Sequence, residues 1–240
     1  MKFYRRLPEI KAMTFDLDDT IYNNRPIIVR VESQMRQWLV TEHPISASQP
    51  ISWWADVKRQ VASDNPELKH DVTKWRYAQI ETGLRRLGYS DSQAKQAAEQ
   101  AISKVLELRS DFTVPQTALD TMLALSKRYP LVAITNGNVD PSRIGLAPYF
   151  QLVLKAGPDG RAKPYPDMFE KALVHFAELG IEAKHILHVG DHLKTDVHGA
   201  KLSGLQACWF NDQGAVLTTH KHARVLPDVE IHRLDDLLKL

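Results

Sequence analysis

Asp16 and Asp18, in the segment Phe15-Asp16-Leu17-Asp18-Asp19-Thr20, are the residues whose types and spacing most plainly suggest chemistry. They follow an apolar run at residues 10–15 that reads as a buried strand. Alternate side chains of an extended backbone share a face, so the two carboxylates point the same way. Side by side at a strand end they repel, and such a pair persists where a cation or a shared proton offsets the repulsion. That predicts a hard divalent cation and a reaction on anionic oxygens. A lone Asp-x-Asp is more often a helix-capping turn, so the decision rests on residues further along. Those are Thr135-Asn136-Gly137, Lys163 on the loop 157–164, and the segment 190–196, which carries Asp191 and Asp196.

The elements that must position these residues follow from hydrophobic periodicity. Beyond residue 112 the chain alternates. A helix from about Pro115 leads to a strand at 131–135, then a short helix and a strand at 152–156. A helix at 166–179 ends at Gly180 and gives way to a strand at 186–189. A helix ending near Gly204, a strand at 206–210 and a terminal helix at 234–238 complete the pattern. Short apolar strands separated by helices predict an α/β fold, a doubly wound parallel sheet covered on both faces. In such sheets ligands bind beyond the carboxyl ends of the strands, where all the residues named above fall.

From residue 27 to about 112 the periodicity is helical only. Ile28, Val31, Met35 and Trp38 recur at helical spacing, and so do Val72, Trp75, Gln79, Ile80, Leu84 and Leu87. Ser90-Asp91-Ser92-Gln93 reads as a capping box that opens a helix with Ala94, Ala97, Ala101, Val105 and Leu108 on one stripe. The stretch 51–62 also reads as helical. An all-helical module at 23–112 is therefore inserted after the first strand, between core segments 1–22 and 113–240.

Composition narrows the function classes. The 240 residues are 43% hydrophobic and 25% charged, with 31 basic and 29 acidic side chains. A net charge of +2 gives no argument for a nucleic-acid partner. No apolar run is long enough to span a bilayer, and the charged first residues precede no signal-type apolar segment. A single cysteine, Cys208, excludes an internal disulfide and suits a reducing cytoplasm. His188 and His192 have a spacing that suits metal ligands on a helix but straddle a strand end, so His188 is expected to be a buried strand histidine.

The four segments around Asp16, Thr135, Lys163 and Asp191 resemble the four motifs of the haloacid dehalogenase (HAD) superfamily, and the insertion resembles its first class of helical cap. The match runs the length of the chain. Within the superfamily the sequence is similar to bacterial phosphatases acting on 5-amino-6-(5-phospho-D-ribitylamino)uracil in riboflavin synthesis. The segments 3–5, 24–26, 70–76, 132–138 and 204–209 carry that closer likeness.

The resemblance implies a Mg²⁺-dependent phosphomonoester hydrolase acting on a small phosphorylated metabolite, cytoplasmic and a monomer or weak dimer. It implies Asp16 as nucleophile and Asp18 as general acid and base. Asp16, Asp18 (through its backbone carbonyl), Asp191 and Asp196 would form the metal site. Thr20, Thr135, Asn136 and Lys163 would hold the phosphoryl group. Flavin mononucleotide is a further expected substrate. Arg25, Arg76 and Arg109 are candidate contacts to an anionic substrate, while Trp53, Trp54 and Trp75 are expected in the cap core. Other readings on the same fold are a dehalogenase or a phosphonatase, in which the second Asp of the first motif is missing, and a phosphomutase. A regulatory binding protein would be expected to have lost one of the acids, and none is lost.

Overall fold

Ala12–Phe15 forms a strand because its four residues are apolar or β-branched and completely buried, so each backbone group needs a neighbouring strand for its hydrogen bonds. The computed structural model describes residues 1–240, the side chain of Thr218 excepted. The sheet strands, in chain order, are β1 (Lys2–Phe3), β2 (Ala12–Phe15), β3 (Leu131–Thr135), β4 (Leu152–Lys155), β5 (Ile186–Gly190), β6 (Gln206–Phe210) and β7 (Val229–Ile231). Their spatial order is β1-β7-β6-β5-β2-β3-β4. β2 sits between β3 and β5, parallel to both. The chain fills the sheet on one side of β2 through β3 and β4, then on the other through β5, β6 and β7. This reversal of strand order opens a crevice at the carboxyl ends of β2, β3 and β5.

The chain divides into two units. The first comprises Met1–Asn24, Thr113–Gly137 and Pro141–Leu240, and holds the sheet. Its helices include α5 (Gln116–Ser126), α6 (Asp167–Glu178) and the short α7 (Gly199–Leu202). α6 buries Met168, Phe169, Ala172 and Phe176, one helical stripe, in a core cluster shared with Val132, Ile134 and Ile186 of the sheet. Numbered in chain order, the helices of the second unit precede these. They are α1 (Arg25–Glu42), α2 (Ile51–Asp64), α3 (Val72–Arg86) and α4 (Asp91–Arg109), within Arg25–Phe112 and Asn138–Asp140. The capping box read at Ser90 and Gln93 is present at the start of α4. Asp71 caps α3, accepting from the Thr73 and Lys74 amides.

Several local expectations change. The sheet is not wholly parallel, since β1 pairs antiparallel with β7 at one edge. Both strands are too short, at two and three residues, to show an alternation in sequence. In α1 it is Ile27, not Ile28, that turns inward with Val31 and Met35. The elements before β4 and at the C-terminus are 3₁₀ turns, Ala147–Tyr149 and Leu234–Lys239, rather than α-helices. Among the described residues no helix is long and apolar enough to cross a membrane.

Candidate active site

The site begins with strand register. Thr14 of β2 lies opposite His188 of β5, and the Asp16 amide still donates to the Val189 carbonyl at 2.9 Å. Side chains two apart share a face, so Thr14 and Asp16 both look toward the element that follows β5. That element is a π-helical turn, Leu193–His198, entered through His192, whose ring accepts from the Thr195 amide. The turn places Asp196 back over the strand end. Gly190 makes room for it, because a Cβ there would collide with the Asp196 side chain. Lys163 arrives from the loop before α6, beyond which a cis peptide bond leads to Pro164.

These elements gather one buried charge network. The Lys163 ammonium lies 2.7 Å from Asp16 Oδ1 and 2.6 Å from Asp196 Oδ1, with its side chain 1% exposed and those carboxylates 9% and 2%. His188 Nε2 lies 3.5 Å from the same Asp196 oxygen, and its Nδ1 is 2.7 Å from Thr14 Oγ1. A carboxylate only accepts, so Nε2 carries the proton and Nδ1 accepts from the threonine hydroxyl. The His192 amide donates to the other Asp196 oxygen at 2.9 Å. Burial pushes the His188 pKa below its ordinary value.

Burial and mutual repulsion set the other protonation states. Burial raises the Asp16 pKa to about 7, with Lys163 pulling it down and Asp196 and Asp18 pushing it up. Asp191 is raised to about 8 by burial and then by Asp196 and Asp16. Asp196 is burdened by the same burial, but the attraction of Lys163 prevails and holds it below the ordinary carboxylate range. Lys163 is correspondingly held above its ordinary value by Asp16 and Asp196, which outweigh its own burial.

The remaining sequence-derived residues fall around this network. Thr20 is turned to Asp191, accepting from its amide at 3.1 Å, with its hydroxyl 3.5 Å from Oδ1. Asn136 ties down the lysine loop: Nδ2 donates to the Lys163 carbonyl at 3.1 Å, and Oδ1 accepts from the Lys163 amide at 2.7 Å. The Thr135 hydroxyl accepts from the Gly137 amide at 2.9 Å. Asp18 Oδ1 accepts from the Tyr22 hydroxyl at 2.5 Å. A Cβ on Gly137 would collide with Asp18 Oδ2, so glycine keeps that oxygen's space open. In the helical unit Arg76 pairs with Glu32, and Arg109 is buried.

Four contributors were not singled out as site residues in the sequence. Tyr22 orients Asp18, Thr14 and His188 support Asp196, and the Trp209 indole donates to the Asp191 carbonyl at 2.8 Å. A Tyr four residues after an Asp gives a faint signal. The other three depend on strand register, which the sequence does not display.

Oxygen atoms of Asp16, Asp191 and Asp196 lie within 4.8 Å of one another. Three carboxylates against one ammonium leave surplus negative charge at the strand ends, and burial first, then the neighbouring carboxylates, raise Asp16 and Asp191. This donor set fits a small hard divalent cation such as Mg²⁺, which prefers a few carboxylate oxygens and retained waters.

A family model described as haloacid dehalogenase-like hydrolase matches residues 10–204. The chain is 43% identical over 240 residues to the 5-amino-6-(5-phospho-D-ribitylamino)uracil phosphatase YigB of Escherichia coli (strain K12), covering 100% of both chains. It is similar to the crystal structure of a 2-haloacid dehalogenase from Pseudomonas syringae pv. Tomato DC3000, with a TM-score of 0.88 and 34% identity over 96% of this chain and 97% of that one. The magnesium-bound structure of the putative HAD-hydrolase YfnB from Bacillus subtilis has a TM-score of 0.65. At 21% identity, over 97% of this chain and 98% of that one, it shares the fold.

Proposed function

The chain belongs to the haloacid dehalogenase-like hydrolase family, and we propose that it is a Mg²⁺-dependent phosphomonoester hydrolase working through an aspartyl phosphate on Asp16. The observation that carries this reading is the pairing of a lysine-bound Asp16 with a second acid, Asp18, whose one oxygen accepts from Tyr22 while the other lies where any side chain on Gly137 would collide with it.

In the first step an Asp16 oxygen attacks phosphorus as the bond from phosphorus to the ester oxygen breaks, and Asp18 gives its proton to the departing alkoxide. In the second, water attacks the same phosphorus, Asp18 takes the water's proton, and Asp16 leaves as a carboxylate. Lys163 favours the ionised form of Asp16 and offsets charge on the phosphoryl oxygens. The Asn136 contacts fix the loop that delivers Lys163. Thr135 and the Asn136 amide are proposed phosphoryl contacts. Asp16, the Asp18 backbone carbonyl and Asp191 would hold Mg²⁺, with Asp196 and Thr20 in support. The ion supplies positive charge to a phosphoryl oxygen and relieves repulsion among the acids.

Asp18 is what favours a phosphate ester over a carbon–halogen bond. A departing halide needs no proton, whereas an alkoxide does. We take 5-amino-6-(5-phospho-D-ribitylamino)uracil as the foremost substrate, supported by the full-length likeness to the Escherichia coli enzyme. The helical unit is inserted between β2 and β3, which both end in site residues, and we assign it the role of a cap that selects the part of the substrate that does not react. The setting of this reading is cytoplasmic, with the protein acting alone or as a weak dimer.

The test is a comparison of kcat/KM, with Mg²⁺ and with chelator, for that compound, flavin mononucleotide, a small aryl phosphate and a 2-haloacid. The expected result is Mg²⁺-dependent release of phosphate, greatest for the ribitylaminouracil ester, and no halide. Halide release without phosphatase activity, or full activity of metal-stripped enzyme, would overturn the reading.

A further inference from the structure

We propose that the helical unit carries a second binding site, for a small organic anion with a flat apolar body, in the cavity between α1, α2 and α3. The cavity holds about 500 Å³ and is lined by Met35, Trp54 and Ile80 together with Glu32, Arg36, Lys58 and Arg76. That volume is in the range of small-molecule sites. All of its lining residues belong to the helical unit, and none takes part in the reaction proposed above. The inference therefore stands independently of the phosphatase reading.

Two observations specify the ligand. One wall is a held aromatic plate. The Trp54 indole donates to the Ser46 carbonyl at 3.3 Å, and the ring packs over Gly83 so closely that a Cβ there would collide with it. The other wall is positively charged, with three cations against the single carboxylate of Glu32, a surplus of two. Glu32 is taken up by Arg76. The Lys58 ammonium lies over the Trp75 ring, 4.7 Å from its centroid, and has no carboxylate within 4 Å among the described residues. Burial and the Arg76 charge both act against its protonated form. A partly desolvated ammonium beside an apolar cavity is a site for an anion, because the anion restores the charge balance that water no longer supplies. Glu32 competes for the same cations from within the protein.

The probe is naphthalene-1-sulfonate, titrated into the full chain in Mg²⁺ buffer. Binding is followed by calorimetry and by the NMR signal of the Trp54 indole N–H. The proposal expects one saturable site that shifts this signal, with naphthalene itself binding more weakly. Lys58→Met should weaken binding about tenfold or more, the effect of a lost charge-assisted contact. Glu32→Gln should tighten it, which keeps the test valid even if Lys58→Met fails to fold. The proposal is overturned by a Trp54 signal that does not respond, or by unchanged affinity in Glu32→Gln or in a folded Lys58→Met.

Discussion

The two units hold their charged residues in opposite ways. Around the strand ends, Lys163, Asp16 and Asp196 are 1%, 9% and 2% exposed, and the ammonium holds the two carboxylates at 2.7 and 2.6 Å. In the helical unit Arg76 and Glu32 pair with 20% and 49% of their side chains exposed. Water can replace a lost partner in the second case but hardly in the first. A buried pair costs free energy to form and is severely destabilising to break, while an exposed pair contributes little either way. The difference teaches where to expect function: charge concentrated against the cost of burial marks the reacting centre, and charge spread over helices marks surface and selection.

The largest effect that tests this contrast is on turnover. Asp16→Asn replaces a charged nucleophile with a neutral amide and should reduce kcat by at least about a thousandfold. Calorimetric Mg²⁺ binding should weaken as well. A variant with near-normal kcat would remove Asp16 from the centre of the account.

Next in size is stability. Lys163→Met leaves Asp16 and Asp196 facing each other without a cation, at a cost of about 3–5 kcal/mol in urea denaturation of the metal-free protein. A loss within about 1 kcal/mol would show that the buried network is as replaceable as a surface pair.

A third prediction concerns pH. Asp16 and Asp191 have folded pKa values of about 7 and about 8, raised from an ordinary 3.8, so the folded state holds protons that the unfolded chain has released. Their contribution to stability is fully present below about pH 4 and is lost as pH rises through 7 and 8. Asp196 runs the other way: depressed by Lys163, it contributes above the ordinary carboxylate value and loses that contribution in acid. Mg²⁺ competes with the protons on the first two. The rise in Tm on adding Mg²⁺ should therefore be larger at about pH 8.5 than at about pH 6. An equal rise at both would contradict the crowded-acid description.

The smallest effect belongs to the helical unit. Arg76→Ala should change folding stability by no more than about 1 kcal/mol, as expected for a half-exposed pair. A loss matching that of Lys163→Met would erase the distinction between the units.

What could be read from sequence follows the same division. β2, β3 and β5 were visible because buried parallel strands are short apolar runs, and the residues at their ends stood out as polar. The capping box of α4 was visible because its chemistry is local. β1 and β7 were not, since pairs of two and three residues carry no periodicity. The support of Asp196 by His188 and Thr14 depends on the β2–β5 register. The hold of Trp209 on Asp191 joins residues from two different strand ends. Asn136 was recognisable as a polar residue at a strand end, and Thr20 entered only through the family resemblance. That they also hold Asp191 and the Lys163 loop became evident only from the geometry.

The central claim is that phosphorus is attacked twice, first by Asp16 and then by water. The stereochemical course at phosphorus tests it most directly, whether or not the phosphoenzyme accumulates. With a thiophosphate ester made chiral by oxygen isotopes, two successive in-line displacements predict net retention of configuration. Net inversion would mean that water attacks the substrate directly, and Asp16 would then not be the nucleophile.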